Sequence, residues 1–470
     1  MAAIETDVVV LGVGTSGEDL CLRLLDAGLD VVGVEAKLLG GECPYWACIP
    51  SKMMIRAAHL LAEAHRIDGV AGQVTVEPDW SPVAARVREQ ATGGWDDAVA
   101  VSRFGAAGGT FLRGRGRFTG PDTVLVGDDE ITARRGVVVA TGSLPAVPPI
   151  PGLADIASWS THELIACQEL PASLLVLGGG AVGCELGQVM ARFGVDVTIV
   201  EGRDRLLAAE EPEAGATVGA ALAADGVTVH TGTPVTEAGE RDGQLTLTLD
   251  DGTVLAAERL LVATGRRLDP SDLGLEHTPA EVTARGAIVT DDRLRAAPGI
   301  WAMGDVTGQA MFTHMALHQG AVIAADLLGR DPPPAADLIP RVTFTDPEVG
   351  AAGLTEEAAR AAGLDVVVSV KAVGATFRGW LHGPGADGVL KLVVDRVTGR
   401  LVGALSVGPR GGEVLGALLV AMVGDVPLAS LRNAVFPFPT FYGGIGEMIG
   451  AYGRGLGQVI EPGFEPLLDP

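Results

Sequence analysis

Short, almost wholly apolar runs alternate along this chain with stretches in which apolar residues recur every three or four positions. Val8-Val9-Val10-Leu11 leads into Gly12, an amphipathic stretch follows, and a second apolar run ends on the carboxylate of Glu35. Uninterrupted apolar runs are the mark of strands buried on both faces of a parallel sheet, and the three-to-four spacing is that of an amphipathic helix. The unit from Thr6 to Glu35 is therefore strand, glycine turn, helix, strand, and Ser173 to Glu201 repeats it in the same order. Strand-like runs ending in Ala140-Thr141-Gly142 and Ala263-Thr264-Gly265 are expected to close the two units in parallel.

Punctuation by proline and glycine divides the rest. Leu144 to Gly152 is a proline-rich crossing out of the first unit, and Pro332-Pro333-Pro334 marks a second boundary. Near Asp291 the chain is expected to return to the first unit, reaching Ile300-Trp301-Ala302-Met303-Gly304-Asp305. Strand-like runs such as Val366 to Val370 and Leu390 to Val394 then mix with helical ones at Glu356 to Ala362 and Gly412 to Met422. The predicted class is α/β, with two Rossmann-like dinucleotide-binding domains plus a C-terminal α+β domain. The division is residues 1–150 for the first, 151–266 for the second, 267–335 for the return to the first, and 336–470 for the last.

Composition agrees with that plan and narrows the partners. Of 470 residues 47% are apolar but only 4% aromatic, and 66 are glycine, as expected of an α/β protein rich in small apolar residues and tight turns. A formal net charge of −25 disfavours nonspecific attraction to nucleic acid or anionic membranes. No run approaches the ~18 apolar residues of a membrane span, and a cytoplasmic location is the expectation. Five cysteines in so long a chain do not make a disulfide framework, so a close pair reads as catalytic or metal-binding.

The glycine turns carry the first chemistry. Gly12 allows the tight turn, Gly14 admits a pyrophosphate to the backbone, and Gly17 lets helix and strand pack closely. The helix N-terminus then offers its free N–H groups to the phosphates, and Glu35, roughly 20 residues on, can accept the hydroxyls of an adenosine ribose. Gly178, Gly180, Gly183 and Glu201 repeat the arrangement. Glu201 favours NAD(H) over NADP(H), because a carboxylate binds a free 2′-hydroxyl and repels a 2′-phosphate, although Arg203 or Arg205 could hold that phosphate.

The second chemistry lies in Gly40-Gly41-Glu42-Cys43-Pro44-Tyr45-Trp46-Ala47-Cys48-Ile49-Pro50-Ser51-Lys52. Cys43 and Cys48 precede a helix predicted over Ser51 to His65, whose dipole would stabilise a thiolate at Cys48. Two structural cysteines or half of a zinc site is the alternative, but no second cysteine pair exists, and no metal is expected. His314 and His318, one helical turn apart, lack a third ligand nearby, and Cys21, Cys184 and Cys167 read as core or lone thiols.

Two nucleotide turns with the Gly40 to Lys52 segment closely resemble the flavin-dependent pyridine nucleotide-disulfide oxidoreductases, the group of lipoamide dehydrogenase, glutathione reductase and mercuric reductase. The resemblance spans essentially the whole chain and includes Ala263-Thr264-Gly265-Arg266-Arg267, Met303-Gly304-Asp305 and Phe344-Thr345-Asp346-Pro347-Glu348. It implies FAD in the first site, with Gly41, Thr141 and Gly142 lining it, Glu35 on the ribose and Asp305 near the ribityl chain. It implies NAD(P)H in the second site, with Gly265 beside it, and a Lys52–Glu185 pair where flavin and nicotinamide meet. Cys48 would face the flavin and Cys43 the substrate, and the C-terminal domain would form a homodimer that completes each active site.

The chain departs from that family in one segment. Members that reduce disulfides carry a His-Pro-Thr segment with a Glu five residues after the His, a base and its orienting group. Here the matching stretch is Phe436-Pro437-Phe438-Pro439-Thr440-Phe441-Tyr442-Gly443, so Phe438 replaces the His and Gly443 the Glu. Neither moves a proton, although Tyr442, Glu447 or His382 could. The Phe resembles the 2-ketopropyl coenzyme M oxidoreductase/carboxylase branch, which has a His where this chain has Gly443.

The functional expectation is electron transfer from NAD(P)H through FAD to a redox-active Cys43–Cys48 disulfide and on to an unidentified acceptor. The alternatives are a quinone or flavin reductase or transhydrogenase that bypasses the thiols, a carboxylating enzyme, or a nonenzymatic redox-sensing or scaffolding subunit.

Overall fold

The computed structural model describes residues 3–334, 336–450 and the backbone strand at 459–460; the remainder of the expected C-terminal domain lies outside the described residues. Three principal sheets organise it. The first runs in the order Arg295–Ala297, Ile300–Ala302, Asp129–Val139, Ala3–Leu11, Val31–Glu35, Thr110–Arg113. Its central pairings are parallel, and Ile300–Ala302 lies parallel to Asp129–Val139, so a distant part of the chain completes the sheet.

Alternation along the strand Ala3–Leu11 explains why its apolar run is unbroken. Val8 and Val10 pack with Leu20, Cys21 and Leu24 of the helix Thr15–Asp26, while Val9 and Leu11 pack on the other face with Phe118 and Val124. Both faces are buried, so neither can carry a polar residue.

A second, four-stranded parallel sheet has the order Thr228–Thr231, Asp196–Glu201, Ser173–Leu177, Arg259–Val262. Leu174 and Val176 face one core and Leu175 and Leu177 another, the same two-sided burial. A three-stranded antiparallel sheet, Val235–Arg241, Gln244–Leu249 and Val254–Ala257, covers it. The C-terminal sheet is antiparallel, in the order Arg341–Thr343, Glu348–Gly353, Arg400–Gly408, Val389–Asp395, Val366–Ala372, Val459–Ile460. Helices Glu356–Ala361 and Gly411–Val423 accompany it, giving an α+β unit.

One packing event positions the site. The helix Cys48–His65 sends Met54, Ile55 and Ala58 into the same core as Leu186, Val189 and Met190 of the helix Ala181–Arg192. The cysteine-bearing helix thus lies against the helix that opens at the second glycine turn. Among the described residues no helix is long and apolar enough to cross a membrane.

Candidate active site

Glycine places the thiols. Gly40 and Gly41 adopt φ of 107° and 71°, and Gly40 bridges to Gly14 of the first turn. A Cβ on Gly41 would stand 2.7 Å from the Gly14 Cα, so only two bare backbones can pass this closely. The short helix Glu42–Trp46 carries Cys43, and the long helix begins on Cys48 itself. That start is earlier than the Ser51 expected from Pro50. Proline at the third position removes an N–H that has no intrahelical partner, so the first turn accommodates it.

Both cysteines are half-buried free thiols, and each is hydrogen-bonded to the other. The Cys43 hydrogen bond draws the Cys48 pKa down to about 6, against the effect of burial and with help from Thr313 and Lys52. The same bond and burial push Cys43 well up. Cys48 is thus the more readily ionised of the two, at the head of a helix where the dipole favours a thiolate. Thr313, at the start of the helix Thr313–Leu327, places its Oγ1 3.6 Å from the Cys48 Sγ.

One turn along from Cys48, the Lys52 Nζ meets Glu185 Oε2 at 2.8 Å and stands over the Phe344 ring at 4.7 Å. The other Glu185 oxygen accepts the Phe344 N–H at 2.7 Å. Glu185 therefore ties together the thiol helix, the second glycine helix and the entry to the C-terminal sheet. Beside it Gln188 exchanges bonds of 2.8 and 2.9 Å with the Asp346 backbone, and Arg192 and Arg66 both grip the Asp346 carboxylate.

Both glycine turns have the shape of a phosphate cradle. A side chain on Gly12 would strike Ala140 O, and one on Gly17 or Gly183 would strike the carbonyl of Gly12 or Gly178. Gly178, at φ 115°, would put a Cβ 2.5 Å from Ala263 O. Gly14 and Gly180, by contrast, have open space in front of them, with nothing nearer than 3.9 Å for Gly14. Neither following helix has a side-chain cap, so first-turn N–H groups stay available to an anion. Glu35 accepts from the Val13 and Lys37 amides at 3.1 and 2.8 Å, and burial raises its pKa. Glu201 is held alike by Gly179 and Arg203 at 2.7 and 2.8 Å. These residues fit two dinucleotides.

Asp305 accepts the Ser143 hydroxyl at the C-terminal edge of the first sheet, and Arg266 reaches the same Ser143 and lies 3.7 Å from Asp305. Thr141 and Gly142 lead into this corner, Gly142 at φ 72°, and Gly265, at φ 111°, accepts from Ala146 across the crossing strands. His314 stacks on Phe312 instead of facing His318, whose buried Nε2 has no hydrogen-bond partner among the described residues.

Of the three groups that could have stood in for a proton donor, Glu447 is buried, accepts from the Phe377 amide and lies 3.4 Å from the fully buried Lys371 Nζ. His382 packs edge-on against Phe441, and Tyr442 against Phe436. Phe438 is 61% exposed and meets Phe377 edge to face at 5.1 Å.

Several neighbours carried no sequence signal. Thr313 and Ser143 lie far along the chain from the thiols and from Asp305, and the motif that holds Arg266 gave no sign of its contact with Ser143. Glu42 pairs with His162 at 2.9 Å, and Trp46 stacks with His162 and Trp95. The aromatic Tyr45 and Trp46 between the cysteines were the one local sign.

Comparison with known proteins accords with this geometry. Residues 6–320 match the family model described as pyridine nucleotide-disulphide oxidoreductase, and residues 339–449 match its dimerisation domain. The chain is 33% identical to a mercuric reductase of Acidithiobacillus ferrooxidans over 452 residues, covering 94% of this chain and 81% of that protein. It is 33% identical to a dihydrolipoyl dehydrogenase of Thermus scotoductus over 459 residues, covering 94% and 96%. The fold superposes with a TM-score of 0.83 on the HOCl-induced flavoprotein disulfide reductase RclA from Escherichia coli, at 27% identity and covering 94% and 99%.

Proposed function

Because the chain belongs to the pyridine nucleotide-disulphide oxidoreductase family, FAD-dependent NAD(P)H oxidoreductases, we propose that it reduces an electrophilic acceptor through a Cys43–Cys48 disulfide relay. Family membership sets the nonenzymatic reading aside. The observation that carries the proposal is the pair of thiols set side by side, near disulfide distance, at a helix head that Lys52 and Glu185 join to the second nucleotide turn.

The balance is NAD(P)H and the disulfide giving NAD(P)+, a Cys43 thiol and a Cys48 thiolate, which then deliver two electrons to the acceptor. FAD, when bound, supplies the hydride acceptance and two-electron transfer that side chains cannot. The chain's own residues do the rest. Gly12, Gly14, Gly17, Gly41 and Glu35 hold the first dinucleotide with Thr141, Gly142 and Asp305. Gly178, Gly180, Gly183, Glu201 and Gly265 hold the second. Lys52 keeps a positive charge in the low-dielectric corner where negative charge accumulates. Cys48 stays ionised, and Cys43 keeps the proton until it attacks.

Glu201 supports NAD(H) over NADP(H), since both its oxygens are already oriented by backbone amides. Phe438 and Gly443 mark an atypical member without the His-Glu dyad. That favours an acceptor needing no relayed proton over a dithiol or disulfide substrate, and the carboxylating branch remains the second chemistry this residue allows. The exposed Phe377, Trp380 and Phe438 support a homodimer that shares its active sites through this face, in a reducing, cytoplasmic setting.

Anaerobic reductive titration of the flavoprotein tests the relay. Uptake of two electrons beyond those of the flavin, with long-wavelength thiolate–flavin absorbance, is the expected result. Uptake by the flavin alone, with turnover unaffected by Cys43→Ser, would establish the quinone reductase or transhydrogenase reading instead.

A further inference from the structure

Beside the thiols stands a cluster that neither glycine turn nor the Lys52–Glu185 bridge uses. Glu42 and Trp46 lie four residues apart on the helix Glu42–Trp46 and so share a face. Both meet His162. Its Nε2 lies 2.9 Å from Glu42 Oε2, and its ring stacks on the Trp46 indole with centroids 4.6 Å apart and planes within 16°. Trp95 also stacks on Trp46, at 5.2 Å and 24°, and its Nε1 donates to Tyr45 O at 3.2 Å. Cys43, one residue on from Glu42, lies a helical step of ~100° away and engages Cys48, Thr313 and Thr15.

Both outer rings are delivered by dedicated local structure. Trp95 follows a π-helical segment, Val87–Ala91, and the left-handed Gly93 and Gly94, and it adopts φ 59° itself. A residue with a side chain enters that region only where its surroundings enforce it. His162 sits in the first turn of the helix Thr161–Ile165, fixed by a capping box of Ser160 and Glu163. The ring stack is thus fastened from two remote segments onto the one helix that carries Cys43.

We propose that His162, with Glu42, Trp46 and Trp95, is a positioning device for the thiol pair. It holds the flank of the Cys43 helix next to Cys43 while the sulfurs move between bonded and hydrogen-bonded separations. This rests on the reading that Cys43 and Cys48 cycle. A device that keeps two thiols together raises their effective concentration and so favours the disulfide. Loosening it shifts the equilibrium toward the dithiol.

The test equilibrates the FAD-loaded protein with glutathione redox buffers and counts alkylated Cys43 and Cys48 by mass spectrometry. In His162→Ala and Trp95→Ala the disulfide constant is expected to fall ~10-fold, a rise of about 30 mV in potential. His162→Phe, which keeps a ring on Trp46 but not the Glu42 bond, should restore part of the loss. The rate at which NADH reduces the flavin should stay within ~2-fold, because the stack lies away from the second glycine turn. Disulfide constants within twofold of the wild type in Trp95→Ala and His162→Phe would overturn the proposal, whatever happens to their melting temperatures. A wild-type pair that forms no disulfide in any buffer would overturn the relay itself, a distinguishable result.

Discussion

The Lys52 ammonium and the Glu185 carboxylate meet at 2.8 Å, and through them the helix that starts on Cys48 is bonded to the helix that starts at the second glycine turn. Two segments far apart in sequence, one carrying the thiols and the other the second glycine turn, are thereby fixed in mutual register.

Breaking that contact from its two sides should not cost the same. Glu185 has a side chain only 6% exposed, whereas Lys52 is 36% exposed. Lys52→Met leaves a buried carboxylate with the Phe344 amide alone, a loss of about 2–3 kcal/mol after allowance for solvent at the lysine. Glu185→Gln keeps an acceptor for that amide and should cost about 1 kcal/mol. Urea unfolding of the two flavoproteins checks the order.

The thiols should differ in reactivity with pH. An acid whose pKa is lowered is ionised above the lowered value, so iodoacetamide should label Cys48 increasingly as pH rises through about 6. Cys43, pushed the other way, should stay slow across the neutral range. Thr313→Val removes a hydroxyl 3.6 Å from the Cys48 sulfur and should move its profile toward higher pH. Equal labelling of both thiols at pH 7 would contradict the opposed shifts of the two cysteines.

Much of the fold was legible because its determinants are local. The two-sided apolar runs at Val8 to Leu11 and Ser173 to Leu177, with glycine where a Cβ would strike a neighbouring carbonyl, are dictated within a few residues. The thiol helix starts at Cys48, three residues before the predicted Ser51, because Pro50 at its third position lacks only an N–H that would have no intrahelical partner. What could not be read is what joins distant segments. Nothing near Cys48 announces Thr313, nothing near Glu42 announces His162, and the Ser143–Arg266–Asp305 corner needs three loops to converge. Such contacts follow from packing, and packing leaves no period in the sequence.

The glycines of one turn should separate into two kinds. Gly183 has no room for a methyl group against the Gly178 carbonyl, while Gly180 faces open space. Gly183→Ala should lower the melting temperature sharply. Gly180→Ala should fold normally but raise the KM for NADH by ~10-fold, since its methyl enters the path of the pyrophosphate. A Gly180→Ala enzyme with wild-type KM would remove that turn from the nucleotide site.

Glu201→Ser should narrow the preference for NADH. The carboxylate, held by Gly179 and Arg203 amides, would repel a 2′-phosphate bound at this turn, and Arg203 and Arg205 follow it closely in sequence. The ratio of kcat/KM for NADH to that for NADPH is expected to fall by ~10-fold or more, chiefly through a lower KM for NADPH.

Supplying a histidine and a glutamate at positions 438 and 443 is the strictest test of whether this segment governs the choice of acceptor. Phe438 is 61% exposed, so histidine there costs little core, and a side chain on Gly443 would meet Thr440 Oγ1 at 3.0 Å, so Thr440 must turn away from Pro437 O and the Gly443 amide to admit it. If the segment lies over the Cys43 of a second copy, Phe438→His with Gly443→Glu supplies a base and its orienting carboxylate to a thiol that lacks them. General acid–base help of this kind contributes ~100-fold or more, so the double variant should gain NADH-dependent reduction of lipoamide where the parent shows little. Phe438→His alone should gain less, because an imidazole without its orienting partner samples unproductive rotamers. Lipoamide activity that is unchanged in the correctly folded dimeric double variant would mean that this segment does not reach the thiols, and the proton would then have to be sought elsewhere around Cys43.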